Sequence, residues 1–396
     1  MQFEIDSKII VNVTFSTEPS TPTILETLEY CENIQAGLPT CKLVLGIRDT
    51  DSIFLSKSLY DGAPLNVKID HVDIDFSYNL NLSIFGSPTM NPARSTNEGY
   101  QVTLYAVLYT YKYLTSITNN SYKGSVSSVL TTLAKECGLR TAIVPTSDSQ
   151  IWYSHGRTYH SLAQYLVNHC YMSDTSLPVL GITHPNTLVM KDIVGSLLKS
   201  PTHTLSYLAK VIYKDAEEVK KNEANEQNNY IFVTYTTKNV SGLLNNTSTY
   251  GNTYLQDSVE DASGFESSGV TFTRRINNSE INKQTKKAVK GVTTNYFPIN
   301  TGNTYANFYK AEAKNKRIRN LYSNVFRALT VNEYTKIRLL DTVRLLIDTK
   351  FEDGKDSVYS GNYIVTAKTI NISRNFFREA ITLVNYGRSM DAADLL

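Results

Sequence analysis

The chain has 396 residues, more than a single core usually serves, so about two to four domains are expected. Its 41% hydrophobic and 19% charged content is that of a folded protein, and 27 Tyr residues with many Thr, Ser and Asn favour strands and turns. A net charge of +2 is too small to imply nucleic acid or an anionic membrane, no apolar run approaches a membrane span, and MQFEIDSKIIVNVTF does not read as a signal peptide, so folding in a cytosol is expected.

Residues 1 to about 115 read as strands. KIIVNVTF, TCKLVLGI, PLNVKI, FSYNLNLSIFG and GYQVTLYAVLYTYKYL are rich in β-branched and aromatic residues, with Asp-Gly, Ser-Pro, Asn-Pro and Glu-Gly between them. Short strands with such turns suggest a barrel or sandwich. The period then changes. From Ser125, a candidate N-cap, the residues Val126, Val129, Leu130, Leu133, Ala134 and Cys137 fall at helical spacing, and Gly138 follows where a left-handed cap belongs. A second amphipathic helix begins near Thr158 and carries Tyr159, Leu162, Ala163, Leu166, Val167 and Cys170 on one stripe. Trp152, the only tryptophan, lies in the link between them.

LSYLAKVIY fits either period, and the charged passage 214–228 suits an exposed helix or a loop equally. Strand character returns in NYIFVTYTTKN. Residues 257–303 read as a polar surface excursion, and a helix is expected over 304–322. VFRALTV, TVRLLID, GNYIVTAKTINI and REAITLV then read as a four-stranded antiparallel meander. Two passages echo each other. SLYDGAPLNVKI ends in Leu65, Val67 and Ile69 alternating with polar residues, and RLLDTVRLLI ends in Val343, Leu345 and Ile347. Any two amphipathic strands after an acidic turn look alike in isolation, so the echo gains weight only from the order of elements around it.

Sites of chemistry are sparse. Cys31, Cys41, Cys137 and Cys170 form no CxxC pair and read as reduced core residues. Gly354-Lys355 lacks the earlier glycine of a phosphate loop, because Thr349 stands there, and Asp353 and Asp356 would repel phosphate. His155, His160, His169 and Cys170 crowd one region, but His160 and His169 are nine residues apart, the wrong spacing for one helix face, and read as packed or surface groups. No nucleophile elbow or carboxylate pair stands out, so no enzyme, cofactor or metal is expected. The basic runs NKQTKKAVK and KNKRIR read as solvated faces. In SRNFF, Arg374, Asn375, Phe376 and Phe377 form a candidate contact loop, because adjacent aromatics on a strand point to opposite faces; a bend that buries both rings fits as well.

The passages YKGSVSSVLTTLAKECGL, QIWYSHGRTYHSLAQYLVNHC, NYIFVTYTTKN, and RLLDTVRLLID followed by GNYIVTAKTINISRNFFREAITLV occur in an order that resembles the baseplate hub proteins of contractile-tailed bacteriophages. Their relatives include late-control tail proteins and the N-terminal half of type VI secretion spike proteins. The resemblance covers nearly the whole chain through pattern and order more than identities.

It implies an α+β, mainly β fold: two related small antiparallel β-barrels, the second split, with an inserted helical domain. The expected division is a first tube-like barrel over 1–115 and an α/β inserted domain over 116–203. Residues 204–322 would hold the charged segment, the first strands of the second barrel at about 228–258, the polar excursion and a helix. The rest of that barrel would occupy 323–388, with a tail at 389–396. The implied function is structural: a homotrimer in the virion, assembled in the host cytoplasm, that adapts a sixfold tail tube protein to a threefold central spike protein around an axial channel through which the genome passes. The competing readings are a carbohydrate-binding adhesin, suggested by abundant Tyr, Asn and Thr, and an unrecognised hydrolase.

Overall fold

Strand formation follows the two-residue alternation of apolar side chains. In Ile9–Phe15 the residues Ile9, Val11, Val13 and Phe15 are buried and those between them are not. The computed structural model describes residues 1–5, 9–17, 23–34, 37–48, 57–72, 77–92, 99–110, 112–173, 176–209, 231–237, 304–305, 307–308, 311–312, 315, 324–331, 335–349, 361–373 and 376–385; over 206–209, 231–237, 324–331 and 346–349 it describes the backbone alone. The charged passage 214–228, the excursion 257–303, most of the expected helix at 304–322, and Arg374 and Asn375 lie outside the described residues.

The N-terminal unit contains β1 (Gln2–Ile5), β2 (Ile9–Phe15), β3 (Ile24–Asn33), β4 (Thr40–Arg48), β5 (Pro64–His71), β6 (Ser77–Ile84), β7 (Thr89–Pro92) and β8 (Gly99–Leu108). They lie in the order β1-β2-β5-β6-β8-β4-β3, with β7 alongside β8. The C-terminal unit contains β16 (His203–Ala209), β17 (Ile231–Thr237), β18 (Asn324–Val331), β19 (Thr342–Thr349), β20 (Gly361–Ser373) and β21 (Phe376–Asn385). Its order is β17-β18-β21-β20-β19-β16, and the β16–β19 pair is parallel. The ladder between β3 and β20 fuses both units into one 14-stranded sheet.

The last four strands are not a simple meander. β19, β20 and β21 are successive antiparallel neighbours, but β18 lies beside β21 instead of β19, a Greek-key order that pairs β21 on both edges. This order exposes a repeat. The pairing β3-β4-β8-β6-β5 in one unit and β17-β18-β21-β20-β19 in the other join their first, second, fifth, fourth and third strands, antiparallel throughout. The echoing passages occupy the third strand of each, β5 and β19. Among the described residues neither unit closes by a ladder. In the first, a groove of about 410 Å³ lined by Gln2–Ile5 and Thr23–Leu25 separates β1 from the start of β3.

One hairpin serves both cores. On β21, Phe377, Glu379, Ile381 and Leu383 share a face, and β20 opposes them with Ile372, Ile370, Lys368 and Val365. A regular pleat would put Val365 and Lys368 on opposite faces. A bulge between Val365 and Ala367 adds one residue and restores them to the same side. Ile370, Ile372 and Phe377 pack in the N-terminal core with Leu28, Leu43 and Leu104, whereas Val365, Ile381 and Leu383 pack with Val343 and Leu345.

Between the units lies an α/β module. It comprises α1 (Lys112–Thr115), β9 (Ile117–Thr118), β10 (Ser121–Gly124), α2 (Val126–Glu136), β11 (Arg140–Ile143), β12 (Gln150–Tyr153), β13 (Arg157–Thr158), α3 (Tyr159–Asn168), β14 (Pro178–Thr183), β15 (Thr187–Asp192) and α4 (Ile193–Leu197). Ser125 and Thr158 cap α2 and α3 through Ser128 N–H and Ser161 N–H. Gly138, at φ 72°, ends α2 in the left-handed conformation that a side chain would resist. The apolar stripes of both helices meet around Trp152, whose indole N–H donates to the Gly124 carbonyl at 2.9 Å. Buried Asp148 accepts from Val126 N–H at the start of α2 and from Tyr171 N–H beyond α3. No helix among the described residues is long and apolar enough to cross a membrane.

Candidate functional site

The three parts of the chain meet at buried charges. The registers of β3, β20 and β21 place Tyr30, Ile370 and Glu379 in one inward row and Glu32, Lys368 and Ile381 in the next. Glu32, Lys368 and Glu379 are all at most 1% exposed. Such burial is tolerable only where each charge is compensated. The Lys368 ammonium lies 2.5 Å from Glu379 Oε1 and donates to the Ile337 carbonyl at 2.6 Å. Glu379 also accepts from Thr335 N–H at 2.8 Å and from Thr335 Oγ1 at 3.0 Å. Glu32 accepts from Tyr30 OH at 2.9 Å, Thr183 Oγ1 at 2.8 Å and His184 N–H at 2.7 Å. Residues 335–341 and the β14–β15 turn are thereby tied to the sheet. On the far side of this loop, Lys191 donates to the Leu340 carbonyl and meets Asp341 at 3.2 Å. Gly181 allows close approach here, since a Cβ would lie 2.7 Å from Leu339 Cδ2.

Electrostatics follow from burial. Desolvation raises the Glu32 carboxyl above its ordinary value, while the hydrogen bonds from Thr183 and His184 and the charge of Lys368 pull it back. The Tyr30 phenol is pushed well up by burial and then by Glu32. His184, its ring 4.5 Å from that of Tyr78, is lowered to about 4 by burial, then by Arg338, Lys368 and Arg140. These groups satisfy one another across three segments. Chemically the arrangement is a lock, with no nucleophile set beside a base.

The expected contact loop is placed in part. Phe377 is 2% exposed and faces the N-terminal core, while Phe376 lies on the opposite face, half-buried, with the Arg378 guanidinium 4.5 Å from its ring centroid. The histidines do not converge. His160 packs edge-on to Tyr113, His169 stacks 4.2 Å from Phe308 and lies 3.2 Å from the Glu312 carboxylate, and His155 sits beside Tyr153. Among the described residues no group of three or more His, Cys, Asp or Glu side chains is placed to hold a metal. Sequence reasoning missed the buried charges, although a signal was present. Lys368 shares parity with Ile370 and Ile372, Glu379 with Phe377 and Ile381, and Glu32 with Leu28 and Tyr30.

The fold, mainly β with an α/β module between two strand units, is similar to that of two solved structures over nearly the whole of each chain. A tail protein from Neisseria meningitidis MC58 matches at a TM-score of 0.54 with 12% identity, covering 96% of this chain and 96% of that one. The 43 kDa tail protein of prophage MuSo2 from Shewanella oneidensis matches at 0.54 with 8% identity, over 97% of this chain and 99% of that one. An E. coli component of the type VI secretion system, described as similar to T4 bacteriophage tail proteins, aligns at 0.48 with 8% identity, over 96% of this chain and 77% of that one. No family model matches the sequence, and no curated relative does. The resemblance to tail proteins read in the sequence is thus borne out as a likeness of fold.

Proposed function

We propose that the chain is a structural, non-enzymatic component of a phage tail baseplate: a homotrimeric hub that joins the sixfold tail tube to a threefold central spike and lines part of the axial channel. The observation that carries this reading is the repeat. One chain presents the same five-strand antiparallel order twice, and the two units are joined edge to edge through β3 and β20. Three such chains offer six similar units to a sixfold partner while remaining threefold toward another. On this reading each unit is a small barrel, residues 116–203 are an insertion between them, and Arg374, Asn375, Phe376 and Phe377 form a contact loop at the rim. The buried lock at Glu32, Lys368 and Glu379 holds the two units at a fixed angle, which a ring requires. The test is light scattering coupled to size exclusion, followed by imaging with purified tube protein of the same phage. A trimeric ring that caps tube ends is expected; a chain that neither trimerises nor binds tube or spike protein would refute the reading.

A further inference from the structure

The N-terminal unit carries a second groove that has no part in the buried lock. Across β2, β5 and β6 one row of the ladder sets Thr14 opposite Asn66 and Asn66 opposite Asn81, and the Asn81 carbonyl accepts from Tyr109 N–H, just past β8, at 2.9 Å. The pleat turns this row outward, because its neighbours along each strand, Val13 and Phe15, Leu65 and Val67, Leu80 and Leu82, are all buried. A groove of about 450 Å³ lies against the row, lined by these four residues together with Ser16, Pro64 and parts of the strands beneath. That volume falls within the roughly 300–1,000 Å³ of small-ligand sites.

The chemistry of the lining narrows the ligand. Asn66 Nδ2 donates to Asn81 Oδ1 at 2.6 Å. The bond leaves Asn66 Oδ1 and Asn81 Nδ2, an acceptor and a donor, with no further side-chain partner among the described residues. Turning both amides over exchanges the roles and keeps the pair. Tyr109, 57% exposed, adds an aromatic body with a polar tip. No charged side chain lines the groove, and Lys68, two residues further along β5, is engaged with Asp70 at 2.8 Å. A phosphate or an acidic peptide would find no counter-charge here. A peptide strand is disfavoured on other grounds: β5 is paired with β2 and β6, and β6 bonds β8 at Leu82 and Tyr109 at Asn81, so neither strand has a bare edge at the groove to extend.

We propose that this groove binds a neutral saccharide. A pyranose has both surfaces that the groove can meet: a CH face to lie on the Tyr109 ring, and adjacent hydroxyls of which one donates to Asn66 Oδ1 while the next accepts from Asn81 Nδ2. Water competes for amides this exposed, so the affinity is weak, with a Kd of about 1 mM. The site lies within one chain and leaves the structural reading of the protein in place.

Saturation-transfer difference NMR on the full chain tests the proposal with methyl glycosides of glucose, galactose, rhamnose, N-acetylglucosamine and N-acetylgalactosamine. Glucuronic acid and acetylated triglycine amide serve as the charged and the peptide probe. At least one neutral sugar should bind, and Tyr109→Ala and Asn81→Ala should each weaken it about tenfold or more. Both positions are exposed, so both melting curves should stay close to that of the parent, and if one variant fails to fold the other decides. Tyr153→Ala, at a position 54% exposed on the α/β module, should leave the affinity unchanged. Three results would overturn the inference: no neutral sugar bound up to about 20 mM, binding that survives the groove substitutions, or glucuronic acid or the peptide bound in the groove in place of every neutral sugar. None of them bears on trimer formation or tube binding, so the hub reading stands or falls separately.

Discussion

Replacing Lys368 by Met tests whether the buried lock holds the two units together. The substitution keeps the length of the side chain and removes the ammonium, which lies 2.5 Å from Glu379 Oε1, donates to the Ile337 carbonyl and faces Glu32 across the ladder. Glu379 would keep its two bonds from Thr335 but lose its counter-charge at 0% exposure. Breaking a buried pair from one side costs about 3–5 kcal/mol, and nearby Glu32, already raised by burial, places the expected loss at the upper end. Adding Glu379→Gln to Lys368→Met removes both charges and leaves an acceptor for Thr335, so the double variant should recover about 1–3 kcal/mol relative to the sum of the single changes. Urea unfolding followed by tryptophan fluorescence and by circular dichroism measures each step. A Lys368→Met protein within about 0.5 kcal/mol of the parent, or a double variant with strictly additive losses, would refute the reasoning.

His184 should make the protein acid-sensitive: its folded-state value lies near 4, below the ordinary 6.5, so its contribution is present above 6.5 and is lost as pH falls toward 4. After allowance for its partial exposure the loss is about 1–3 kcal/mol, and His184→Gln should remove it from a stability–pH profile. Glu32 has the opposite sign; its raised value means that the folded state is favoured below the ordinary 4.5 and loses that advantage as pH climbs through the raised value, so Glu32→Gln should remove that loss from the profile above 4.5. Leu130→Asp or Leu166→Asp, both at positions 0% exposed on the facing stripes of α2 and α3, should abolish the Trp152 near-ultraviolet signal, and a parent-like melting curve would show the faces to be wrongly assigned. Phe377→Ser should cost about 3–5 kcal/mol of stability, whereas Phe376→Ser should leave folding intact and weaken incorporation into tube-bound complexes, as chemical unfolding and co-sedimentation would report.

The alternating strands were legible, and so were α2 and α3, because cap, stripe and terminal glycine agreed at each level. β3 was not. Its inward set begins at Leu25 and resumes at Leu28, since a bulge between Leu25 and Thr27 breaks the alternation, and its inward Glu32 reads as a solvent position. The passage LSYLAKVIY fitted either period because the partner of its described part, 205–209, is β19, far away in sequence, and only that pairing decides it as a strand. The order of the last four strands was also beyond local reading: hairpin turns specify that β19, β20 and β21 adjoin, but nothing in VFRALTV says that it returns to β21. The contact loop was half legible, because adjacency predicted that Phe376 and Phe377 would diverge but could not say which ring entered the core.

The hairpin shared by both cores has a consequence for synthesis. On the ribosome β3 emerges within the first tenth of the chain, yet the strand that pairs its outer edge begins only at Gly361, roughly 330 residues later. At about 5–20 residues per second that interval is roughly 15–70 s, during which the N-terminal unit lacks Ile370, Ile372 and Phe377 from its core and displays an unpaired edge. Nascent chains therefore meet one another, or a chaperone, in a sticky unfinished form. A message cut short before β20 would yield a product whose β3 edge competes for the β20 of intact chains, poisoning assembly in proportion to its abundance.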